Sequence, residues 1–172
     1  MLSNCTSTNN KSASQNFTNN TKVLAIVNNK NSMTASLRKL NYNFSISILY
    51  NGLESEQYKR FVTINLESTP VIVAVSSTSP KNKTFYNILS NSKNNSIGIK
   101  LFAAHNKIKR DPNIIIYKTK ISDVKSYNLH NYLLSLGYKN DQTIIKRTSI
   151  FVHETETMQL TEYILPSIVK FI

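Results

Sequence analysis

Apolar and polar positions alternate along several stretches of the chain, and each alternation predicts a strand with two distinct faces. In the last of them, Glu156 to Pro166, one face carries Met158, Leu160, Glu162 and Ile164. Gln159, Thr161, Tyr163 and Leu165 share the other. Arg60 to Leu66 behaves alike, placing Arg60 in a row with Val62, Ile64 and Leu66. Asn43 to Tyr50 sets Phe44, Ile46 and Ile48 against Asn43, Ser45 and Ser47, and is expected to end at Asn51-Gly52. Arg60–Leu66 and Val71–Ser79 read as an antiparallel hairpin turning through Glu67-Ser68-Thr69-Pro70. Gln142–Val152 and Met158–Leu165 read as another, and Asn113–Ile121, with three consecutive isoleucines, as a further strand.

Helical spacing falls between these strands. Ser32 reads as an N-cap before Met33, Leu37 and Leu40. Ser79-Pro80 is expected to open a helix through Phe85, Ile88 and Leu89. Ser96 caps an almost wholly apolar one, Ile97–Ala104, expected to be deeply buried. Asp123 reads as the cap of a helix running to Leu136, with Gly137 as its stop. Lys22–Val27 is too short to assign to helix or strand. Residues 1–20 are polar, cannot offset the entropy of ordering, and are expected to be a mobile segment ahead of a single domain over 21–172.

At 172 residues the chain is long enough for one domain with a real core and too short for two comfortable ones. No apolar run approaches the roughly 20 residues of a membrane span. The formal charge of +12 invites nucleic-acid binding. The lysines are dispersed, however, no nucleic-acid motif accompanies them, and the Asn/Lys/Ile-rich, Trp-free composition is the drift of an AT-rich gene. A nucleic-acid partner is therefore not expected, although a diffuse positive field would draw in a small polyanion. With Cys5 alone there is no internal disulfide or thiolate cage, and His105, His130 and His153 lack ligand spacing, so no metal is expected. Phosphate-binding glycine loops, zinc-protease and serine-hydrolase motifs are all missing.

Two charges thus stand in inward-facing apolar rows, Arg60 and Glu162. A charge taken out of water needs a partner, so the pair is expected either to face each other or to share an ionic ligand. A structural ion pair, or strand ends reaching solvent, is the competing explanation. Arg147 lies beside Ile145 and Phe151 by alternation and suits strand packing at least as well as ligand binding. The helix starts at Ser32-Met33 and Ser96-Ile97 offer unpaired N–H groups that would suit an anion, or simple capping.

In order and spacing, N-S-M-T at Asn31–Thr34, the strand opened by Arg60 with the hairpin at Pro70, S-I-G-I-K-L-F at Ser96–Phe102, Lys146-Arg147 and T-E-Y-I-L-P at Thr161–Pro166 resemble the chorismate lyases. The likeness runs from about Thr21 to Phe171 and is strongest to plastid-encoded and cyanobacterial relatives. It implies an α+β fold, a mostly antiparallel sheet with flanking helices and an enclosed ligand cavity. It further implies a monomeric, cofactor-free lyase that converts chorismate, its small-molecule substrate, to 4-hydroxybenzoate and pyruvate, in a plastid, feeding quinone biosynthesis. Glu162 and Arg60 match the family's catalytic and substrate-binding positions, and Met33 and Ile97 the two that bind through the backbone. Ile144-Ile145 stands where bacterial members have Trp-Gly, the Ser76-Ser77 region where many have an arginine, and the Tyr127–Leu136 helix resembles an insertion. The same fold serves as an effector-binding domain in transcription regulators, so a non-catalytic domain binding a small aromatic acid is the alternative. A structural protein with a decayed site is a third.

Overall fold

A computed structural model of the chain describes residues 17–172. Seven antiparallel strands form one sheet in the order β1-β2-β3-β7-β6-β4, with β5 pairing the same outer strand β6 as β4 does. The strands are β1 (Phe44–Glu54), β2 (Gln57–Leu66), β3 (Thr69–Thr78), β4 (Lys109–Arg110), β5 (Ile115–Lys120), β6 (Thr143–His153) and β7 (Glu156–Ile164). Two-residue turns join β1 to β2 and β2 to β3. Ser55, Glu56, Glu67 and Ser68 all take positive φ there, as the twist-compatible hairpin turns demand.

Among the described residues, these helices pack on the sheet: α1 (Thr21–Val27), α2 (Met33–Arg38), α3 (Lys83–Ser90), α4 (Ile97–Leu101) and α5 (Tyr127–Ser135). On one face, Val23 and Val27 of α1 and Met33 and Leu37 of α2 bury against Ile64, Leu66, Ile72, Ile145 and Ile164. Farther along that face, α3 and α4 bury Phe85, Leu89, Ile97 and Leu101 against Phe151 and Met158. The opposite face takes α5, whose Leu129 and Leu133 pack with Val73, Ile144, Tyr163 and Leu165. Because helices cover both faces, neighbouring residues of β2 and β7 are buried whichever way they point.

Several boundaries differ from expectation. The packed chain begins by Phe17, which is buried in the core, so order starts ahead of Thr21; residues 1–16 of the expected mobile segment lie outside the described residues. The run at Lys22–Val27 is helical, capped by Asn20, whose side chain accepts from the N–H groups of Lys22 and Val23. Strand β1 does not stop at Asn51-Gly52. Both residues stay in register against Arg60 and Lys59, and the turn comes later, because cross-strand pairing outweighs a local turn signal. Pro80 lies in a turn ahead of α3, which is entered at Asn82 rather than Ser79. Asp123 ends a short 3-10 turn, and Ser126 is the residue before α5. Helix α4 spans only five residues, and its outward side is open: Ile99 is 64% and Phe102 42% exposed.

Other expectations hold. Ser32 and Ser96 accept from Ala35 N and Gly98 N respectively, capping α2 and α4. Gly137, at φ 85°, closes α5. There Gly137 N bonds to Leu134 O and Tyr138 N to Leu133 O, which satisfies two of the helix's last carbonyls.

Candidate functional site

Strand register puts the inward charges on one sheet face. Across the middle of the sheet run Val62, Ala74, Glu162 and Arg147, and one row farther along run Arg60, Ser76, Leu160 and Ser149. Arg60 and Glu162 are thus two strands and one row apart, which at ordinary sheet spacings is ~12 Å between Cα atoms. Both are buried, and both line one pocket with Thr34, Ser76, Ser96, Ile97 and Gly98.

They do not pair with each other. Glu162 Oε2 accepts from Arg147 Nη1 in a fully buried ion pair, since Arg147 stands directly opposite on β6. Arg147 Nη2 also donates to Asn29 O at 2.8 Å, fastening the loop between α1 and α2. Arg60 instead holds the loop ahead of α4, with Nη2 donating to Lys93 O at 2.7 Å and Asn95 O at 3.1 Å. Of the two expected arrangements, the direct facing of Arg60 and Glu162 is therefore corrected, while both residues do line one pocket. The acidic residue takes the arginine that cross-strand pairing sets beside it, and the remote arginine turns to backbone carbonyls.

Burial leaves polar capacity unused. Arg60 Nε, Arg147 Nε and Ser149 Oγ are enclosed without a hydrogen-bond partner in the protein. Buried donors are nearly always satisfied, so each of these calls for a partner such as a water or a ligand, and of the three residues Arg60 is the one that lines the pocket. Desolvation pushes the Glu162 carboxyl above the ordinary carboxylate range, and the charges of Arg147 and Arg110 only partly pull it back. Loss of water likewise lowers the Arg60 pKa. Arg110 on β4 is a third cation near the pair. Burial and then repulsion from Arg147 lower its pKa while Glu162 raises it.

The two helix starts meet over this pocket. A Cβ placed on Gly98 would lie 2.7 Å from Ser32 Oγ, so only glycine allows α4 to sit this close to the α2 cap. Ile97 lines the pocket as expected. The Met33 side chain goes to the core instead, and the neighbouring Thr34 is the α2 side chain at the pocket wall. Position 33 can thus address a ligand only through its backbone. Thr34, Gly98 and Arg110 were not singled out from the sequence, and Ser76 stood there only as part of a departure from the family's arginine. Ser76 had a usable signal, because it lies opposite Arg60 in the hairpin register.

The space between these groups is small, about 30 Å³, which is room for a water or two. Small-molecule sites enclose roughly 300 Å³ or more. An organic ligand therefore needs more room than this space offers, and the loops beside it are tied to the sheet by Arg147, at Asn29, and by Arg60, at Lys93 and Asn95. On the opposite face a larger cavity of about 250 Å³ lies between α5 and the β1–β2 hairpin, but its lining, including Phe61, Leu129 and Tyr132, carries no charge. Among the described residues no group of His, Cys, Asp and Glu is placed to hold a metal.

No family model matches the sequence, and no curated protein matches it either. Similarity is found among solved structures. Gene product SA0254 of Staphylococcus aureus aligns with a TM-score of 0.55 at 11% identity, covering 80% of this chain and 89% of that one. YydK of Bacillus subtilis, described as a possible transcriptional regulator, aligns at 0.51 and 11% identity over 75% of this chain, and the match spans only 60% of YydK. The C-terminal domain of the histidine utilization repressor of Pseudomonas syringae aligns at 0.51 and 6% identity, covering 73% and 93%. At such identities the likeness is one of fold: the chain shares with these domains an α+β architecture, here a seven-stranded antiparallel sheet with flanking helices.

Proposed function

We propose that the chain binds a small carboxylate-bearing organic anion in the pocket between Arg60 and Glu162, acting as a ligand-binding domain of the effector-binding kind. The observation that carries this reading is the state of Arg60. It is buried, lines the pocket, spends one nitrogen on loop carbonyls and keeps Nε unpartnered. A carboxylate offers that guanidinium a charge-assisted bond stronger than a neutral carbonyl gives, so an entering anion competes for the contacts that hold the 91–96 loop. Backbone N–H groups at the starts of α2 and α4 would take further anionic oxygens. The fold shared with a repressor's C-terminal domain favours binding over catalysis.

A second reading, chorismate lyase activity, is favoured by Glu162. A carboxylate whose pKa is raised by burial, set in the same pocket as a cation, is suited to accept a proton. In that reaction the C4 proton leaves, the ether bond to the enolpyruvyl group breaks, and the ring aromatises with release of pyruvate. Driving force comes from aromatisation, so positioning and charge placement are what the protein has to supply.

One experiment separates the readings. The purified chain is incubated with chorismate while pyruvate and 4-hydroxybenzoate are followed, and its melting temperature is taken with and without 4-hydroxybenzoate. A raised melting temperature without turnover supports the binding domain, because a ligand specific for the native state must stabilise it. Turnover abolished by Glu162→Gln supports the lyase. Neither effect would reduce Arg60 and Glu162 to structural charges.

A further inference from the structure

Between Glu67 and Asp111 the chain has no acidic residue, but it has Lys81, Lys83, Lys93, Lys100, Lys107, Lys109 and Arg110. This acid-free stretch forms β3, α3, α4 and β4, so α3 and α4, the cap over one half of the ligand-pocket face, are of a single charge sign. At its centre α4 breaks the usual rule for a surface helix. Its inward positions, Ile97 and Leu101, are apolar as they should be, but its outward side carries Ile99 and Phe102, three residues apart and hence neighbours.

Phe102 is not loosely exposed. Its ring stands edge-on to Phe151 at 5.7 Å, and the Arg110 guanidinium lies 5.0 Å from its centre, so it is held outward in a fixed orientation. Lys107 and Lys109 follow immediately, both exposed.

We infer that this surface docks the protein on an anionic membrane. Two outward apolar side chains backed by cations, on a cap whose two helices carry no acid of their own, match the chemistry of the lipid headgroup boundary. There Ile99 and Phe102 enter the acyl edge, and Lys107 and Lys109 reach the phosphates. A nucleic-acid backbone would use the lysines but leave Ile99 without a role. The docking is peripheral, since among the described residues no helix is long and apolar enough to cross a bilayer. Because Ile97 and Gly98 of the same helix line the candidate pocket, docking sets one wall of that pocket against the bilayer.

Co-sedimentation of the full chain with phosphatidylcholine vesicles, with and without phosphatidylglycerol, tests the inference. Binding is expected only to the anionic vesicles, and each lysine near the surface contributes on the order of fivefold. Ile99→Ser with Phe102→Ser, which leaves the charge untouched and whose fold is checked by its melting temperature because Phe102 rests on buried Phe151, is expected to weaken binding about tenfold, as loss of two partly inserted apolar groups should. Lys107→Gln with Lys109→Gln should weaken it by a similar or larger factor. Lys125→Gln with Lys139→Gln, flanking α5 on the opposite face of the sheet, should leave it unchanged. Three outcomes overturn the inference: no vesicle binding; binding that ignores the Ile99 and Phe102 changes and falls equally with either lysine pair, which is adsorption by diffuse charge; or tighter, Phe102-dependent binding to single-stranded DNA, which assigns the surface to nucleic acid.

Discussion

A buried arginine beside a buried glutamate is stable only while both are present. Removing either from the Arg147–Glu162 pair leaves an uncompensated charge out of water, whereas replacing both by apolar groups removes the problem. Arg147→Met is accordingly expected to cost about 3–5 kcal/mol in urea unfolding, and Arg147→Met with Glu162→Leu to recover most of it. Equal losses in the single and double variants would show that packing or the Asn29 contact, rather than charge, is what Arg147 supplies. Gly98 is a residue of the opposite kind, chosen for what it lacks. Gly98→Ala should destabilise by about 1–3 kcal/mol, because the new methyl group meets the α2 cap 2.7 Å away and the cap cannot rotate aside without losing its bond to Ala35 N. Adding Ser32→Gly should relieve much of that loss, since glycine substitutes for serine at an N-cap at a cost of only a few tenths of a kcal/mol. Strictly additive effects of the two changes would place the clash elsewhere.

Among the elements, the hairpins carry strain that the sequence does not relieve. Ser55 and Glu56 both sit at positive φ, 49° and 62°, although neither residue favours that region. Asn-Gly is the pair suited to such a turn, so Ser55→Asn with Glu56→Gly should stabilise the chain by about 0.5–2 kcal/mol, read from the urea midpoint at unchanged slope. A loss instead would mean that the Glu54–Lys59 ion pair beside the turn depends on its present shape. The Glu67-Ser68 turn is a poorer target. There the Glu67 side chain accepts from both Asn43 N and Asn43 Nδ2, holding the start of β1 and lowering its own pKa. Helix ends are where local sequence reads best. Ser32, Ser96 and Gly137 each act through groups within a few residues, so their roles survive whatever the rest of the fold does. Pro80, Asp123 and Asn51-Gly52 carry equally good local signals and lose to pairing and packing made elsewhere.

For the whole molecule, burying an acid leaves a signature in the pH dependence of stability. The Glu162 carboxyl is raised by desolvation, so the folded chain holds its proton at pH values where the unfolded chain has released it. Its stabilising contribution is full below the unfolded value of about 4.3 and is lost as pH rises through the higher folded value. Stability of the wild type relative to Glu162→Gln should thus fall as pH rises above that point. A difference that grows with pH would mean that Arg147 outweighs burial. Glu67, lowered instead, runs the other way, its contribution being lost as pH falls, but it is common to both proteins and cancels. Strand periodicity by itself determined that Arg60 and Glu162 face inward, because side-chain direction in a strand depends only on counting by two. Cap chemistry determined where α2 and α4 begin. Only the tertiary structure decided that Arg147 rather than Arg60 is the partner of Glu162, that Arg60 clasps the 91–96 loop, and that α4 turns Ile99 and Phe102 outward. Those outcomes follow from strand order and from which element covers which face, and both are set by contacts between residues far apart in the chain that no local pattern records.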